Sequence, residues 1–162
     1  MAGSNRTLVV CRHAKAARPE GIADFDRPLA DRGQRDARAA GKWMRQNAPG
    51  VELVLCSPAE RAKQTWQLLR TELAASPTVR YEEQIYEATT GDLLAVVNAL
   101  PSMARRVLLV GHNPGFEGLV SLLTGRMVEL KTSGIAVLSG PGDWAGITPG
   151  WAELEATAAP RG

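Results

Sequence analysis

The stretch Leu8-Val9-Val10-Cys11-Arg12-His13-Ala14-Lys15 decides the fold and is the starting point for the rest of the chain. Its four apolar residues predict the end of a buried strand, and Arg12 and His13 follow where that strand stops. Open α/β sheets bind ligands at the carboxyl ends of their strands. The pair therefore marks a candidate anion site, although a hydrogen-bonded histidine beside a solvated arginine explains these two residues equally well.

Length and composition are those of a soluble globular domain. A chain of 162 residues suits one domain, residues 1–162, with a core that needs neither disulfides nor metal. The net charge of +2 is too small to indicate a nucleic-acid or membrane surface. Because the amino end has no apolar leader-like run and no later run approaches the length of a membrane span, we expect a cytoplasmic protein.

The two cysteines, Cys11 and Cys56, each close an apolar run. Neither has the spacing of a metal site or of a disulfide framework. We expect buried thiols at neighbouring strand ends, with redox sensing as the minor alternative.

The chain after the first strand predicts a surface loop and then a helix. Residues 16–28 are polar and aperiodic, and within them Asp24 and Arg27 either contact a substrate or form a salt-bridged turn. From Asp31 to Asn47, small and apolar residues recur every three or four positions, which indicates an amphipathic helix that ends at the Pro-Gly pair after Ala48.

A second strand, residues 51–56, leads into Ser57-Pro58-Ala59-Glu60-Arg61. Ser57 and Glu60 have the spacing of a capping box, and Pro58 suits the first helical position, so a helix is predicted to begin here. The amino end of a helix favours an anion, and Arg61 lies one turn further on. The alternative for Arg61 is an ordinary solvated position.

A loop between a short strand at 78–81 and a helix at 93–100 carries Glu87, the carboxylate we single out. It follows an apolar pair and precedes a Thr-Thr-Gly turn, whereas its acidic neighbours resemble solvent-facing charges.

The segment 106–111 repeats the pattern of the first strand, with His112 following it and Asn113-Pro114 opening another helix. Two histidines and Arg61 thus follow three buried strands, which predicts that three strand ends converge on one anion. The last two strands, at 134–139 and 151–156, are joined through a Gly/Pro-rich turn and predict an antiparallel pair at one edge.

Taken together, these motifs resemble the histidine phosphatase superfamily, over about residues 7–138 and in the family's order. Within it the chain looks most like the small bacterial SixA-like phosphohistidine phosphatases. The resemblance implies an α/β fold, a three-layer α/β/α sandwich with a mostly parallel central sheet and an antiparallel edge strand. The matching segments are Arg12-His13-Ala14-Lys15, Arg27-Pro28-Leu29, Ser57-Pro58 with Arg61-Ala62 and Gln64-Thr65, Glu87, Gly111-His112-Asn113-Pro114 and Thr132-Ser133-Gly134-Ile135.

The chain departs from the family at one position, because the family's Arg-His-Gly is Arg-His-Ala here. Ala14 fits if the position requires only a small side chain, and does not fit if it requires positive φ.

The resemblance also implies roles for the site residues. His13 is the expected nucleophile that forms a phosphohistidine intermediate, and Arg12, Arg61, His112 and Ser57 with its helix are expected to bind the phosphoryl oxygens. Glu87 is the expected general acid, a role that requires a pKa raised by burial or by the adjacent phosphate. Lys15, Asp24 and Arg27 are possible substrate-rim residues.

No cofactor or metal is expected, since the arginines supply the positive charge; the rival hypothesis makes His13 and His112 metal ligands. The chain offers little sequence to cover the site, which favours a phosphohistidine-bearing protein as substrate and a phosphohistidine phosphatase as function. A phosphomonoesterase acting on a sugar or nucleotide phosphate is the second hypothesis, and a non-catalytic phosphate-binding module the third. We expect a monomer without a nucleic-acid or membrane partner.

Overall fold

A six-stranded sheet forms the centre of the molecule, in a computed structural model that describes residues 5–162. The strand order is β3-β2-β4-β1-β5-β6. The first four of these neighbours are parallel, whereas β5 is antiparallel to β1 and to β6. The strands are β1 (Arg6–Arg12), β2 (Leu53–Cys56), β3 (Thr78–Tyr81), β4 (Arg106–Gly111), β5 (Ile135–Gly140) and β6 (Glu153–Ala158).

Helices cover both faces of this sheet. The helices α1 and α2 pack on one face, and α3 and α4 pack on the other. This arrangement confirms the predicted α/β class with its three layers and mostly parallel sheet. The helices are α1 (Asp31–Asn47), α2 (Glu60–Arg70), α3 (Thr90–Asn98) and α4 (Gly115–Thr124). None of the helices within residues 5–162 is both long enough and apolar enough to cross a membrane.

The apolar runs of the sequence are buried because the central strands have a helical layer on each side. Residues 8–11 of β1 and 107–110 of β4 are at most 1% exposed, as expected for parallel strands between two helical layers. The edge strand β3 is covered less, and its burial pattern is exposed or intermediate throughout.

The antiparallel pair lies at the predicted edge, with two differences in detail. The strand that runs against the others is β5, second from the edge, so that β6 runs in the direction of β1. The connection continues past the Gly/Pro-rich turn into a 3₁₀ turn at Trp144–Gly146, whose Trp144 is fully buried. Because the chain buries this tryptophan before it reaches the last strand, the connection is longer than predicted and β6 begins at Glu153 rather than at residue 151.

Helix α1 has the predicted bounds, and its buried residues include Ala37, Ala40 and Met44. Two of its glycines permit close packing. A Cβ added to Gly33 would overlap the carbonyl oxygen of Lys15, and one added to Gly41 would overlap that of Leu69 in α2.

The predicted start of α2 is wrong by two residues. The helix begins at Glu60 after Ala59, without a side-chain cap. No capping box forms, because the Ser57 hydroxyl accepts from the Ala59 N–H (3.2 Å) and contacts His112, while Glu60 accepts from Gln64. The helix also ends at Arg70 rather than near residue 75.

The helix α3 begins three residues earlier than predicted, and the cap of α4 lies one residue later than predicted. Thr89 and Asp92 form a capping box that starts α3 at Thr90. Pro114, rather than Asn113, occupies the cap position of α4, and the Asn113 side chain accepts from the Glu117 N–H (3.2 Å).

The two thiols are buried, as predicted, but their strands are not neighbours. Cys11 and Cys56 both pair in register with Val110, so β4 lies between them. Burial raises the pKa of Cys11 to about 12 and also raises that of Cys56. Because the thiolate is the reactive form, neither cysteine has the environment of a redox-sensing thiol.

Candidate active site

Three strand ends meet at one edge of the sheet, because β2, β4 and β1 are parallel neighbours. The rings of His13 and His112 lie 5.2 Å apart between centroids. The Nε2 atom of His112 lies 2.7 Å from the hydroxyl of Ser57. The sheet thus brings together side chains that are about 100 positions apart in the sequence.

His13 is held in one tautomer. Its Nδ1 lies 2.8 Å from the carbonyl oxygen of Ala14, and since a carbonyl only accepts, Nδ1 carries the proton and donates. The other nitrogen, Nε2, therefore carries the lone pair and makes no hydrogen bond to any residue from 5 to 162. Backbone bonds fix the segment further, because the N–H of Ser133 donates to the His13 carbonyl (3.0 Å).

Burial keeps His13 neutral. The residue is 8% exposed, and desolvation is the largest cause that lowers the pKa of His13 to about 3. The hydrogen bond to the Ala14 carbonyl is the second-largest effect and opposes this shift, whereas the nearby charges of His112, Arg61 and Arg12 add to it. A neutral imidazole with a free lone pair is a nucleophile over the whole neutral pH range.

The surroundings of Ala14 explain why alanine fits at the position where the family's Arg-His-Gly pattern has glycine. Its methyl group is fully buried and its N–H donates to the hydroxyl of Thr65 (3.0 Å). Among the described residues other than glycine, only Glu87 and Ser133 have positive φ. The position therefore requires a small side chain and not the left-handed conformation.

Arg61 lies near His13 and His112, and a carboxylate binds it. Its Nη1 donates to the Asp24 carbonyl (2.7 Å) and its Nη2 to the Asp24 carboxylate (3.1 Å). Asp24 also accepts from Arg27 (3.0 Å), which is the salt-bridged turn that the sequence left open. Asp24 thus lies against the predicted phosphate site, and Arg27 reaches that site through Asp24.

Tyr86 completes this cluster, and the sequence analysis missed it. Its hydroxyl donates to the Asp24 carboxylate (2.8 Å), and its ring lies 5.6 Å from that of His112. The hydrogen bond from Tyr86, followed by those from Arg27 and Arg61, holds the pKa of Asp24 well below its usual range despite partial desolvation. An aromatic residue directly before Glu87 was the available signal.

Arg12 is half-buried near the two histidines. Its Nη1 donates to the carbonyl of Leu130 (3.1 Å). Burial lowers the pKa of Arg12, and the nearby Glu117, a second residue that the sequence analysis missed, raises it.

His112 is neutral as well. Desolvation, followed by the charge of Arg61, lowers its pKa to about 4, and Asp24 opposes this effect. The family-based expectation that His112 donates to phosphate is compatible with this state, since a neutral imidazole still carries one N–H.

Three buried nitrogen atoms of these side chains have no hydrogen-bond partner within the part of the chain that the structure describes: Nε of Arg12, Nε of Arg61 and Nδ1 of His112. A buried polar group without a partner is costly, and two of these three atoms are cationic N–H donors. The set fits an anion with several acceptor oxygens, such as a phosphoryl group.

Glu87 lies beside the site without the burial that its predicted role assumed. It is exposed, has φ 56°, and lines an open groove of about 590 Å³ together with His112 and the start of α4. The fold therefore does not bury Glu87, and its role as general acid stays a prediction.

Lys15, the remaining rim candidate, is exposed, and its carbonyl accepts from the Ala30 N–H (2.9 Å). Its side chain does not touch the other predicted site residues by any hydrogen bond or ion pair in the structure. As for metals, residues 5–162 contain no cluster of three or more His, Cys, Asp or Glu that could serve as ligands.

Known proteins share this fold and its sequence pattern. The family model of the histidine phosphatase superfamily (branch 1) matches residues 8–100, a span that contains His13, Arg61 and Glu87 and ends before His112. An uncharacterized protein of Mycobacterium tuberculosis is 44% identical over 161 residues, which cover 93% of this chain and 99% of that protein.

Solved structures extend the similarity over nearly the whole chain. A candidate SixA phosphohistidine phosphatase of Nakamurella multipartitia is 34% identical, with a TM-score of 0.87 and coverage of 96% of each chain. The protein histidine phosphatase SixA complexed with tungstate is 25% identical, with a TM-score of 0.82, over 94% of this chain and 96% of that one. The chain belongs to the histidine phosphatase superfamily.

Proposed function

We propose that this protein is a metal-independent phosphohistidine phosphatase that acts on a phosphorylated protein. The observation that carries the proposal is the state of His13, whose Nδ1–H donates to Ala14 and leaves the Nε2 lone pair free beside two arginines. Such an imidazole attacks phosphorus without first losing a proton.

The reaction proceeds in two displacements. In the first, the Nε2 lone pair of His13 forms a bond to phosphorus while the bond from phosphorus to the leaving nitrogen breaks, and the leaving imidazole takes up a proton from solvent. In the second, water attacks the phosphohistidine, gives its proton to solvent or to a nearby base, and releases phosphate and neutral His13. Arg12, Arg61 and His112 bind the phosphoryl oxygens in both steps.

The substrate class rests on the openness of the site and on its relatives. The groove beside His112 is open, which suits a phosphoryl group presented on a protein surface. An imidazole leaving group also depends less on a strong acid than an alkoxide does, consistent with the exposed position of Glu87. SixA proteins among the structural relatives are named as phosphohistidine phosphatases. We place the reaction in bacterial cytoplasmic signal transduction, with the protein acting as a monomer.

Trapping the intermediate tests the mechanism. After brief reaction with a ³²P-labelled phosphohistidine protein and denaturation, we expect acid-labile label on the peptide that contains His13, and none in His13→Asn. Label on another residue contradicts the proposal.

A comparison of substrates tests the proposed substrate class, a phosphohistidine-bearing protein. We expect turnover of the phosphohistidine protein at a kcat/KM at least about tenfold above that of sugar and nucleotide phosphates, and no change after chelation with EDTA. A strong preference for one metabolite would instead establish a small-molecule phosphomonoesterase, and loss of activity on chelation would revive the metal hypothesis.

A further inference from the structure

One face of α1 carries an unbroken row of cations, the α1 stripe. The row follows the spacing of three, three, four and three residues that keeps side chains on one side of a helix. All five are exposed, and the only exposed carboxylate of α1 is Asp31 at its first position. The α1 stripe consists of Arg32, Arg35, Arg38, Lys42 and Arg45.

The α1 stripe lacks the partners that usually accompany such a row. Arg32 pairs with the buried Asp36 (3.4 Å), but the other four side chains make no ion pair or hydrogen bond with any described residue. Glu72, two residues after the end of α2, lies beside Gly41 and forms no ion pair with the stripe. Each neighbouring pair of like charges destabilises the helix, and Arg32 also lies at the positive end of the helix dipole. The sequence thus carries a row of charges that opposes its own helix.

The α1 stripe begins beside the segment that follows His13. The first turn of α1 packs on the backbone of Lys15, two residues after His13: the Ala30 N–H donates to the Lys15 carbonyl (2.9 Å), and Gly33 leaves no room for a Cβ beside it. Lys15 is itself exposed. From Arg32 to Arg45 the stripe then extends by about 20 Å, which is much further than a small phosphorylated metabolite reaches from His13.

We propose that the α1 stripe is the docking surface for an acidic protein that presents its phosphohistidine to His13. This inference rests on the proposed function and adds the chemistry of the partner: a row of carboxylates next to the phosphorylated histidine. A protein fits better than a nucleic acid because α1 begins beside the segment that carries a phosphoryl-accepting imidazole, and because the net charge of +2 gives the molecule as a whole little attraction for polyanions. Charge complementarity of this kind raises the association rate and selects the partner.

Two matched peptides test the proposal. Each is a helical phosphohistidine peptide of about 20 residues, about 30 Å long; one presents glutamates along one face next to the phosphohistidine, and the other has glutamine at those positions. We expect wild-type kcat/KM for the acidic peptide to exceed that for the neutral one by about tenfold at about 10 mM salt, and the difference to shrink at about 150 mM, where the Debye length falls from about 30 to about 8 Å.

Variants with reversed charge test whether the α1 stripe causes the preference for the acidic peptide. R35E/R38E is expected to abolish the preference for the acidic peptide, and R35A/R38A to reduce it while favouring the helix. The control R105E/R126E makes the same charge change at exposed positions outside α1 and is expected to keep the preference. Turnover of phosphoramidate, which cannot reach the stripe, should be the same in all four proteins.

Three results would overturn the docking surface: equal kcat/KM of the wild type for both peptides, a preference that survives in R35E/R38E, or tighter binding of an oligonucleotide than of the unphosphorylated acidic peptide. Failure of the proposed function looks different. In that case neither phosphopeptide is hydrolysed, while fluorescence anisotropy still shows the unphosphorylated acidic peptide bound by wild type and lost in R35E/R38E.

Discussion

The buried His13 and the half-buried His112 couple catalysis to stability. Their folded-state pKa values, about 3 for His13 and about 4 for His112, lie below the value of 6.5 for an unperturbed imidazole. As the pH falls below 6.5 the unfolded chain takes up protons first, so the free energy of unfolding decreases until the folded-state pKa is reached.

The histidine contribution can be isolated with His112→Asn. Between pH 7 and pH 5 we expect each histidine to remove about 2 kcal/mol from the free energy of unfolding, so the variant should lose about 2 kcal/mol less than the wild type. Urea denaturation at the two pH values measures this, and the carboxylates that titrate in the same range are common to both proteins. An identical pH dependence would show that His112 is not desolvated in the folded state.

Asp24 competes with the anion for Arg61. Its carboxylate binds the guanidinium and lies near the phosphate site, so a phosphate ion must displace it or bind beside a like charge. We expect Asp24→Asn to keep the acceptor oxygen for Tyr86 and Arg61 and to remove the charge, lowering the inhibition constant of inorganic phosphate about fivefold, which corresponds to about 1 kcal/mol.

Asp26→Asn is the matched control, since Asp26 lies in the same 3₁₀ turn and is exposed. Its inhibition constant should stay at the wild-type value. Weaker inhibition of Asp24→Asn would mean instead that Asp24 serves mainly to orient Arg61.

The positions of His13, Arg61 and His112 at one sheet edge could be predicted because each follows a buried parallel strand, and strand direction is visible as an apolar run. The interaction of Asp24 with Arg61 and Tyr86 could not be predicted, because it depends on how a loop of irregular backbone folds. Asp24 is 37 positions from Arg61 and 62 positions from Tyr86 in the sequence. The periodicity of apolar residues in the sequence does not indicate contacts made by such a loop.

Among the secondary-structure elements, α1 positions the catalytic segment through Gly33. In Gly33→Ala the gain in helix propensity is outweighed by the overlap of the new methyl group with the Lys15 carbonyl. We expect a loss of about 2 kcal/mol in unfolding free energy and a fall in kcat of about tenfold, because the backbone that carries His13 must shift. Urea denaturation and phosphoramidate turnover measure the two effects.

Gly91→Ala provides the comparison within another helix. The nearest atom to an added Cβ there is the Thr89 hydroxyl at 3.8 Å, an ordinary contact, so this variant should gain about 0.5 kcal/mol and keep its kcat. Destabilisation of both variants to the same degree would indicate a general intolerance of helix substitution.

Helix boundaries show where sequence patterns are reliable. The bounds of α1 were predictable because its apolar face and its Pro-Gly stop agree. The start of α2 was not predictable, because the Ser57 hydroxyl that would cap the helix contacts His112 instead. A side chain recruited by the site no longer follows the local rule for helix ends.

At the level of the whole molecule, one sheet shared by two helical layers explains why the layer order was predictable and the direction of β5 was not. Alternating strands and helices indicate a parallel sheet, whereas the place of β5 between β1 and β6 depends on pairings that are distant in sequence. The short apolar run of β5 fits either direction equally well.

The shared sheet also predicts cooperative unfolding. Leu69 of α2 and Leu119 of α4 are both fully buried, each in the core on its own side of the sheet. We expect Leu69→Ala and Leu119→Ala each to cost about 3 kcal/mol and to lower a single transition with an unchanged m-value, because the strands between the layers belong to both cores. Tryptophan fluorescence and phosphoramidate turnover should report the same urea midpoint in each variant. Two separated transitions in either variant would mean that one helical layer unfolds while the other still holds the strand ends that carry His13 and His112 in place.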